Sequence, residues 1–315
     1  MWELVDIPLL SLQCADRTGC REVILSLDTT ANRFLRHARY QEIEKKIQSY
    51  SDLNPRLIFY NKWQYFVSRI FRWNWIDCWL TWAIGIAEAR TRFALLHDFD
   101  AVVIDPKFLL NHFNLIRECN SVFVGIQSDD RFNCYGKKDI FMTIELMVDI
   151  YFLKSQYSPI DLFNRLRKLD ADLVVCDILR DVQLSTPPEN RTFHAMQKGQ
   201  IVHPSQLVSH WHKMNRSLKI FEPVGYSSIL IIPYFRHLTG DSAPLTDLTK
   251  AIRSGRLHVK FEGRSLSLNK LDQAGCDWIS EQIEMLESYF SEKITTLVIE
   301  YCESIRSIPY VQHSN

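Results

Sequence analysis

Short apolar blocks separated by polar turns run along most of the chain, and their lengths predict an alternation of strands and helices. EVILSLD (22–28) is an apolar run of strand length that ends in Asp28 and the turn-like TTAN. RLIFY (56–60) after Pro55, FALLH (93–97), AVVIDP (101–106) closed by Pro106, SVFVGIQ (121–127) and QIVHP (200–204) read as further strands, with LVVC (173–176) as a short one. Between them the apolar positions recur at helical spacing. This holds for Phe34, Ala38, Ile43 and Ile47, for Ile76 through Ala87, and for FLLNHFNLIREC (108–119). Segment 61–90 is rich in aromatics, and its helically spaced positions from Ile76 onward read as core packing rather than a ligand platform. Residues 139–170 read as helical with a break at Pro159, STPPENR (185–191) reads as an exposed loop, and 272–305 reads as one long helical stretch.

This order predicts an α/β fold. A Rossmann-type, mostly parallel sheet flanked by helices is expected over residues 1–224, and a mainly helical C-terminal appendage over 225–315. On such sheets ligands bind outside the carboxyl ends of the strands, which is where Asp28, Asp98 and Asp100 fall.

Composition narrows the chemistry. Thirty-seven Lys and Arg balance thirty-seven Asp and Glu, which argues against a wholly basic nucleic-acid binder. The ten glycines of the chain are never closer than eight residues. GxGxxG, Walker A and GxSxG loops all need closer glycines, so a nucleotide would have to be held by another device. The eight cysteines form no CxxC, which leaves a thiolate zinc site or redox pair without support. Apolar runs such as Ile229–Ile232 are too short for a membrane span, and the N-terminal segment carries acids rather than a basic leader. The expectation is a cytoplasmic protein, with peripheral attachment to a membrane left open.

Asp98-Phe99-Asp100 is the most informative triplet. In an extended segment residues i and i+2 point to the same side, so both carboxylates can face one site. Two hard oxygen ligands at a strand end suit Mg²⁺ or Mn²⁺ bridging to phosphates; the alternative is a pair of capping or turn carboxylates.

ALLHDFDAVVIDP resembles the strand–DxD–strand core of GT-A-type glycosyltransferases. NWIDCWLTWAIGIAEARTRF resembles the helix leading into that motif, and VILSLDTTAN the first strand with its nucleotide-contacting turn. The resemblance covers about residues 8–215 and is closest to the inverting family 2 glycosyltransferases. One departure is the Asp-Thr-Thr-Ala-Asn turn, where that family often has an Asn/Ser/Asp-rich run. The resemblance implies a donor that is a nucleotide-diphosphate sugar, a UDP-sugar first, contacted by Asp28, Thr29 and Asp98. It implies an acceptor that is a glycan, a lipid-linked molecule or a protein. It also implies a metal, Mn²⁺ or Mg²⁺, held by Asp98, Asp100 and a late histidine, with His203 the first choice and His210 the second. His97, next to Asp98, would point to the opposite side of the strand as a core histidine.

Inversion needs a general base, which the resemblance places between the metal motif and the late histidine. Asp139, Glu145, Asp149, Asp172, Asp177 and Asp181 qualify by position, and Asp177 and Glu145 are favoured by their apolar flanks. Arg131, Lys137 and Lys138 could approach a diphosphate or remain in a solvated loop. The rival readings are a nucleotidyltransferase of similar fold and a non-catalytic binding or scaffold module.

Overall fold

The computed structural model describes residues 4–30, 40–71, 74–126, 141, 143–162, 167–169, 172–174, 179–194, 199–204, 207–215, 224–261, 263–291 and 293–308. In chain order the elements are α1 (Asp6–Cys14), β1 (Val23–Thr30), α2 (Tyr40–Ser49), β2 (Pro55–Tyr60), α3 (Lys62–Phe71), α4 (Asn74–Glu88), β3 (Phe93–Leu96) and β4 (Val102–Val103). They continue with α5 (Phe108–Glu118), β5 (Phe123–Ile126), β6 (Leu146–Asp149), α6 (Ile150–Gln156), β7 (Arg167–Leu169), β8 (Asp172–Val174), α7 (Arg180–Ser185), β9 (Arg191–His194) and β10 (Ile201–Val202). The C-terminal region adds α8 (Leu207–Asn215), α9 (Val224–Ile229), α10 (Ile232–Leu238), α11 (Ala243–Arg253), β11 (His258–Phe261), β12 (Arg264–Ser267), α12 (Gln273–Phe290) and α13 (Thr296–Arg306). The chain forms two compact units, one of Met1–Ser11, Phe99–Ile104 and Ile201–Asn315, the other of Leu12–Asp98 and Asp105–Gln200.

The second of these units carries the strands expected of an α/β protein, but in small sheets. β1 and β2 pair in parallel from Val23↔Pro55 to Leu27↔Phe59, and the register then shifts so that Thr30 faces Tyr60. Asp28 and Thr29 occupy that irregularity, a bulge that re-aims side chains at the strand end. The larger sheet runs β3-β6-β5-β9. β6 is antiparallel to both β3 and β5, and β5 is parallel to β9, so three strands share one direction while β6 separates β3 from β5.

This corrects the expectation of one mostly parallel Rossmann-type sheet, which the described residues do not form. The cause is β6 itself. Residues 139–170 read as helical, yet Leu146–Asp149 is a strand with all four residues buried. A fully buried four-residue run shows no alternation and cannot be told from a buried helical turn. The helix that follows, α6, is capped by Asp149, which accepts from the N–H groups of Tyr151 and Phe152. Likewise the expected loop 185–191 is a 3₁₀ turn at Pro188–Asn190 leading into β9.

The other unit is mainly helical, as expected for the C-terminal region. Trp211, Ile231, Tyr234, Leu245, Ile279, Ile283, Leu286 and Tyr301 are fully buried in its core together with Val102 and Val202 from the antiparallel β4–β10 pair. The apolar run at 226–235 forms α9 and α10, with Pro233 in the first turn of α10 where its missing N–H costs nothing. The stretch 272–305 divides into α12 and α13. Within the appendage, β11 and β12 make a hairpin with Gly263 at φ +77°, a left-handed conformation suited to glycine.

Scarce glycine is used tightly in the larger sheet. A methyl group on Gly125 of β5 would lie 2.8 Å from Leu146 and 2.9 Å from Phe141. Gly125→Ala is therefore expected to destabilise the protein by about 1–3 kcal/mol through overpacking. A lower urea midpoint with an unchanged slope would show it, and an unchanged midpoint would refute it.

Candidate metal centre

β3 ends at Leu96, and the following residues His97 and Asp98 lead into a turn at Phe99-Asp100 rather than an extended strand. The turn nevertheless brings chemistry together. One ligand atom from each of Asp98, Asp100 and His203 lies within 4.8 Å of the others, the one such group among the described residues. His203 follows β10, and its Nε2 is 3.2 Å from Asp100 Oδ1. Asp100 is buried, and its Oδ2 accepts from the N–H of Val208 in the first turn of α8 at 3.4 Å. That N–H helps orient the carboxylate, since the first turn of a helix has spare donors and a partial positive charge. Two carboxylates and one imidazole form a donor set that could hold a divalent cation such as Mn²⁺ or Mg²⁺.

The remaining expected site residues fall in different places. His210 is buried on α8 and is not part of the three-residue group. Asp28 is exposed and Thr29 half-buried in the β1 bulge. Near them, burial and then the charge of Asp28 push the Asp77 carboxyl above its usual range, against an opposing hydrogen bond from Ser68. Tyr60 donates to the Asp77 carbonyl and carboxylate, and burial beside these acids pushes its phenol well up. Asp177, Asp139, Arg131, Lys137 and Lys138 lie outside the described residues. Asp149 is engaged as the α6 cap and pairs with Arg92 at 2.9 Å.

Glu145 is not helical. It lies in the turn before β6 at φ +53°, a left-handed conformation that costs a non-glycine residue of order 1–3 kcal/mol. Its carboxylate is fully buried, with Oε1 2.5 Å from His97 Nδ1 and Oε2 without a hydrogen-bond partner among the described residues. His97 is thus the polar partner of a buried acid. The continuation of the Leu96↔Leu146 register brings the two together, a relation visible only once the strands are paired.

A second histidine pair escaped sequence reasoning altogether. His112 of α5 and His194 of β9 meet Nδ1 to Nδ1 at 2.8 Å, and His194 stacks on Phe108. Nothing in the local spacing signals it, because the two residues are brought together by the packing of α5 on the sheet. Burial, followed by the neighbouring His194, pushes the His112 imidazole down to about 3. Burial also pushes His194 down, with Asp105 opposing.

Comparison of the chain with protein-family models, curated proteins and solved structures finds no match.

The histidine pair sets a pH dependence. His112 is neutral in the folded chain down to about pH 3, whereas the unfolded chain takes up that proton below its ordinary value of 6.5. The contribution of His112 to stability is therefore expected to be full above pH 6.5 and to fall by up to about 1.4 kcal/mol per pH unit below it. Denaturant titrations at several pH values should show this slope reduced in His112→Gln. An unchanged slope in the variant would remove His112 as its source.

Proposed function

We propose that this protein is a metal-dependent glycosyltransferase that moves a sugar from a nucleotide-diphosphate donor, a UDP-sugar first, to an acceptor hydroxyl with inversion. The observation that carries the reading is the convergence of Asp98, Asp100 and His203 just after an apolar strand. The resemblance of ALLHDFDAVVIDP to the DxD core of GT-A enzymes supports it. Held by these three residues, a divalent cation supplies the positive charge that binds the diphosphate and stabilises the leaving nucleoside diphosphate. The Asp28–Thr29 bulge offers an exposed carboxylate and a hydroxyl to the nucleoside end of the donor. For the proton of the acceptor hydroxyl, Asp177 is preferred over Glu145, because Glu145 is fully buried against His97 and suits a positioning role.

A second reading has one observation of its own. Val208 N–H and His203 already satisfy both oxygens of Asp100, as they would in a scaffold that uses the carboxylate to hold the start of α8. A nucleotidyltransferase would keep the metal group and release pyrophosphate instead of a nucleoside diphosphate.

The test is a thermal-shift and turnover screen of nucleotide sugars with and without Mn²⁺. A matching donor should raise the melting temperature only when metal is present, increasingly as its concentration exceeds its Kd. Asp100→Ala should then lower turnover by about 10³-fold, as expected for loss of the principal electrostatic stabiliser. Chelation should abolish turnover of the unmodified protein, and added Mn²⁺ should restore it. Wild-type turnover in Asp100→Ala would dismiss the metal assignment. A variant that is less stable, in a protein that responds to neither metal nor nucleotide, would establish the scaffold.

A further inference from the structure

Helix α3 carries a second apolar stripe on its outward side. It opens with a reciprocal cap, in which Gln64 N–H donates to Asn61 Oδ1 at 2.9 Å and Asn61 N–H donates to Gln64 Oε1 at 2.8 Å. Its small polar residue Ser68 is only 5% exposed, while Trp63 is 77%, Phe66 54%, Ile70 57% and Phe71 46% exposed. Four of the eight large hydrophobic side chains exposed among the described residues are therefore on this ten-residue helix. At 3.6 residues per turn, Trp63, Phe66 and Ile70 fall within about 60° of one another, on the side opposite Ser68. On its inward side Tyr65 and Val67 pack against the cluster of Tyr60, Ile76, Leu80 and Ile84, Ser68 hydrogen-bonds the carboxylate of Asp77 on α4, and Tyr60 at the end of β2 donates to the same residue.

Charge and size select the occupant of this face. Lys62 and Arg69 are exposed along one flank of the apolar stripe, and α3 contains no acidic residue. Arg69 lies over the Tyr65 ring at 5.0 Å, which holds its stem along the helix. Trp and Phe beside basic residues match the boundary between acyl chains and anionic headgroups. The face is about 15 Å long and one helix wide, roughly 10 Å, much less than the ~800 Å² each partner buries in a stable protein complex. No helix among the described residues is long and apolar enough to cross a membrane.

We infer that α3 is an interfacial anchor that lays Trp63, Phe66 and Ile70 into the surface of an anionic bilayer, with Lys62 and Arg69 against the headgroups. The inference is independent of the proposed transferase activity.

Flotation of the whole protein with phosphatidylcholine vesicles, with and without phosphatidylglycerol, tests it. Binding should be about ten-fold stronger to the anionic vesicles and weaken with added salt. The double variant Phe66→Ser/Ile70→Ser should lower it by about ten-fold or more through lost apolar burial, and Lys62→Glu by several-fold through charge reversal. Because these side chains are exposed, both variants should keep the wild-type melting temperature. Lys62→Glu removes no apolar contact and carries the test if the double variant does not fold. Failure of the unmodified protein to float with anionic vesicles at low salt overturns the inference, as does equal binding by the variants. So does a concentration-dependent dimer, seen without vesicles and lost in the double variant, because a second copy would then be the occupant.

Discussion

The antiparallel ladder between β3 and β6 is the constraint on which much of the larger-sheet unit depends. Its four pairs run from Phe93↔Asp149 to Leu96↔Leu146, and each end is tied by side chains. At one end Arg92 pairs with Asp149, Ile150 N–H donates to the Arg92 carbonyl, and the same aspartate caps α6. At the other end the fully buried Glu145 meets His97 immediately before Asp98. A slip of one residue would turn every side chain of β6 to the other face and part both pairs. The point at which the chain leaves β3, and with it the start of the Asp-x-Asp turn, is set by this register.

Glu145 shows what such a constraint costs and what it holds. A non-glycine residue in the left-handed region, carrying a buried carboxylate, is unfavourable on both counts. The contact with His97 offsets part of that, and removing either partner would leave the other polar group buried without it. The pair is thus better understood as a clamp on the strand ends than as a surface-accessible acid or base.

What could be read in the sequence follows the range of the forces involved. β1, β2, β3 and β5 were legible because each is an aliphatic or aromatic run stopped by a polar or turn-forming residue, a signal contained within the segment. Asp98 and Asp100 were legible for a similar reason, two carboxylates two apart at a strand end, whereas His203 entered only through the resemblance to GT-A enzymes. β6 was not, because a four-residue buried strand has no polar face to betray its period. The β11–β12 hairpin was missed although Val259 and Phe261 are buried and His258 and Lys260 exposed, an alternation too brief to stand out from its polar surroundings. His97–Glu145 and His112–His194 are 48 and 82 residues apart, and no local pattern encodes pairs that only sheet register and helix packing bring together. The outward face of α3 was illegible for the opposite reason. Apolar residues lie on both sides of this helix, and which side faces inward is settled by the packing of Tyr65 and Val67 on the Tyr60–Ile76–Leu80–Ile84 cluster together with the Ser68–Asp77 contact.

That outward face bears on the choice among acceptors. α3 follows directly from the end of β2, and the Asp28–Thr29 bulge lies beside it at the end of β1, with Asp77 near Asp28, Tyr60 and Ser68. The strand ends proposed to contact the donor nucleoside and the helix proposed to lie on lipid are therefore parts of one locally packed cluster. A bilayer that receives Trp63, Phe66 and Ile70 would hold this end of the β1–β2 sheet close to the headgroups. A soluble glycan or protein acceptor gains nothing from that placement. A lipid-linked acceptor arrives already confined to the same surface, which raises its local concentration without any further contact. Under the two proposals taken together, the lipid-linked class is the one of the three that would share the surface on which α3 is proposed to lie.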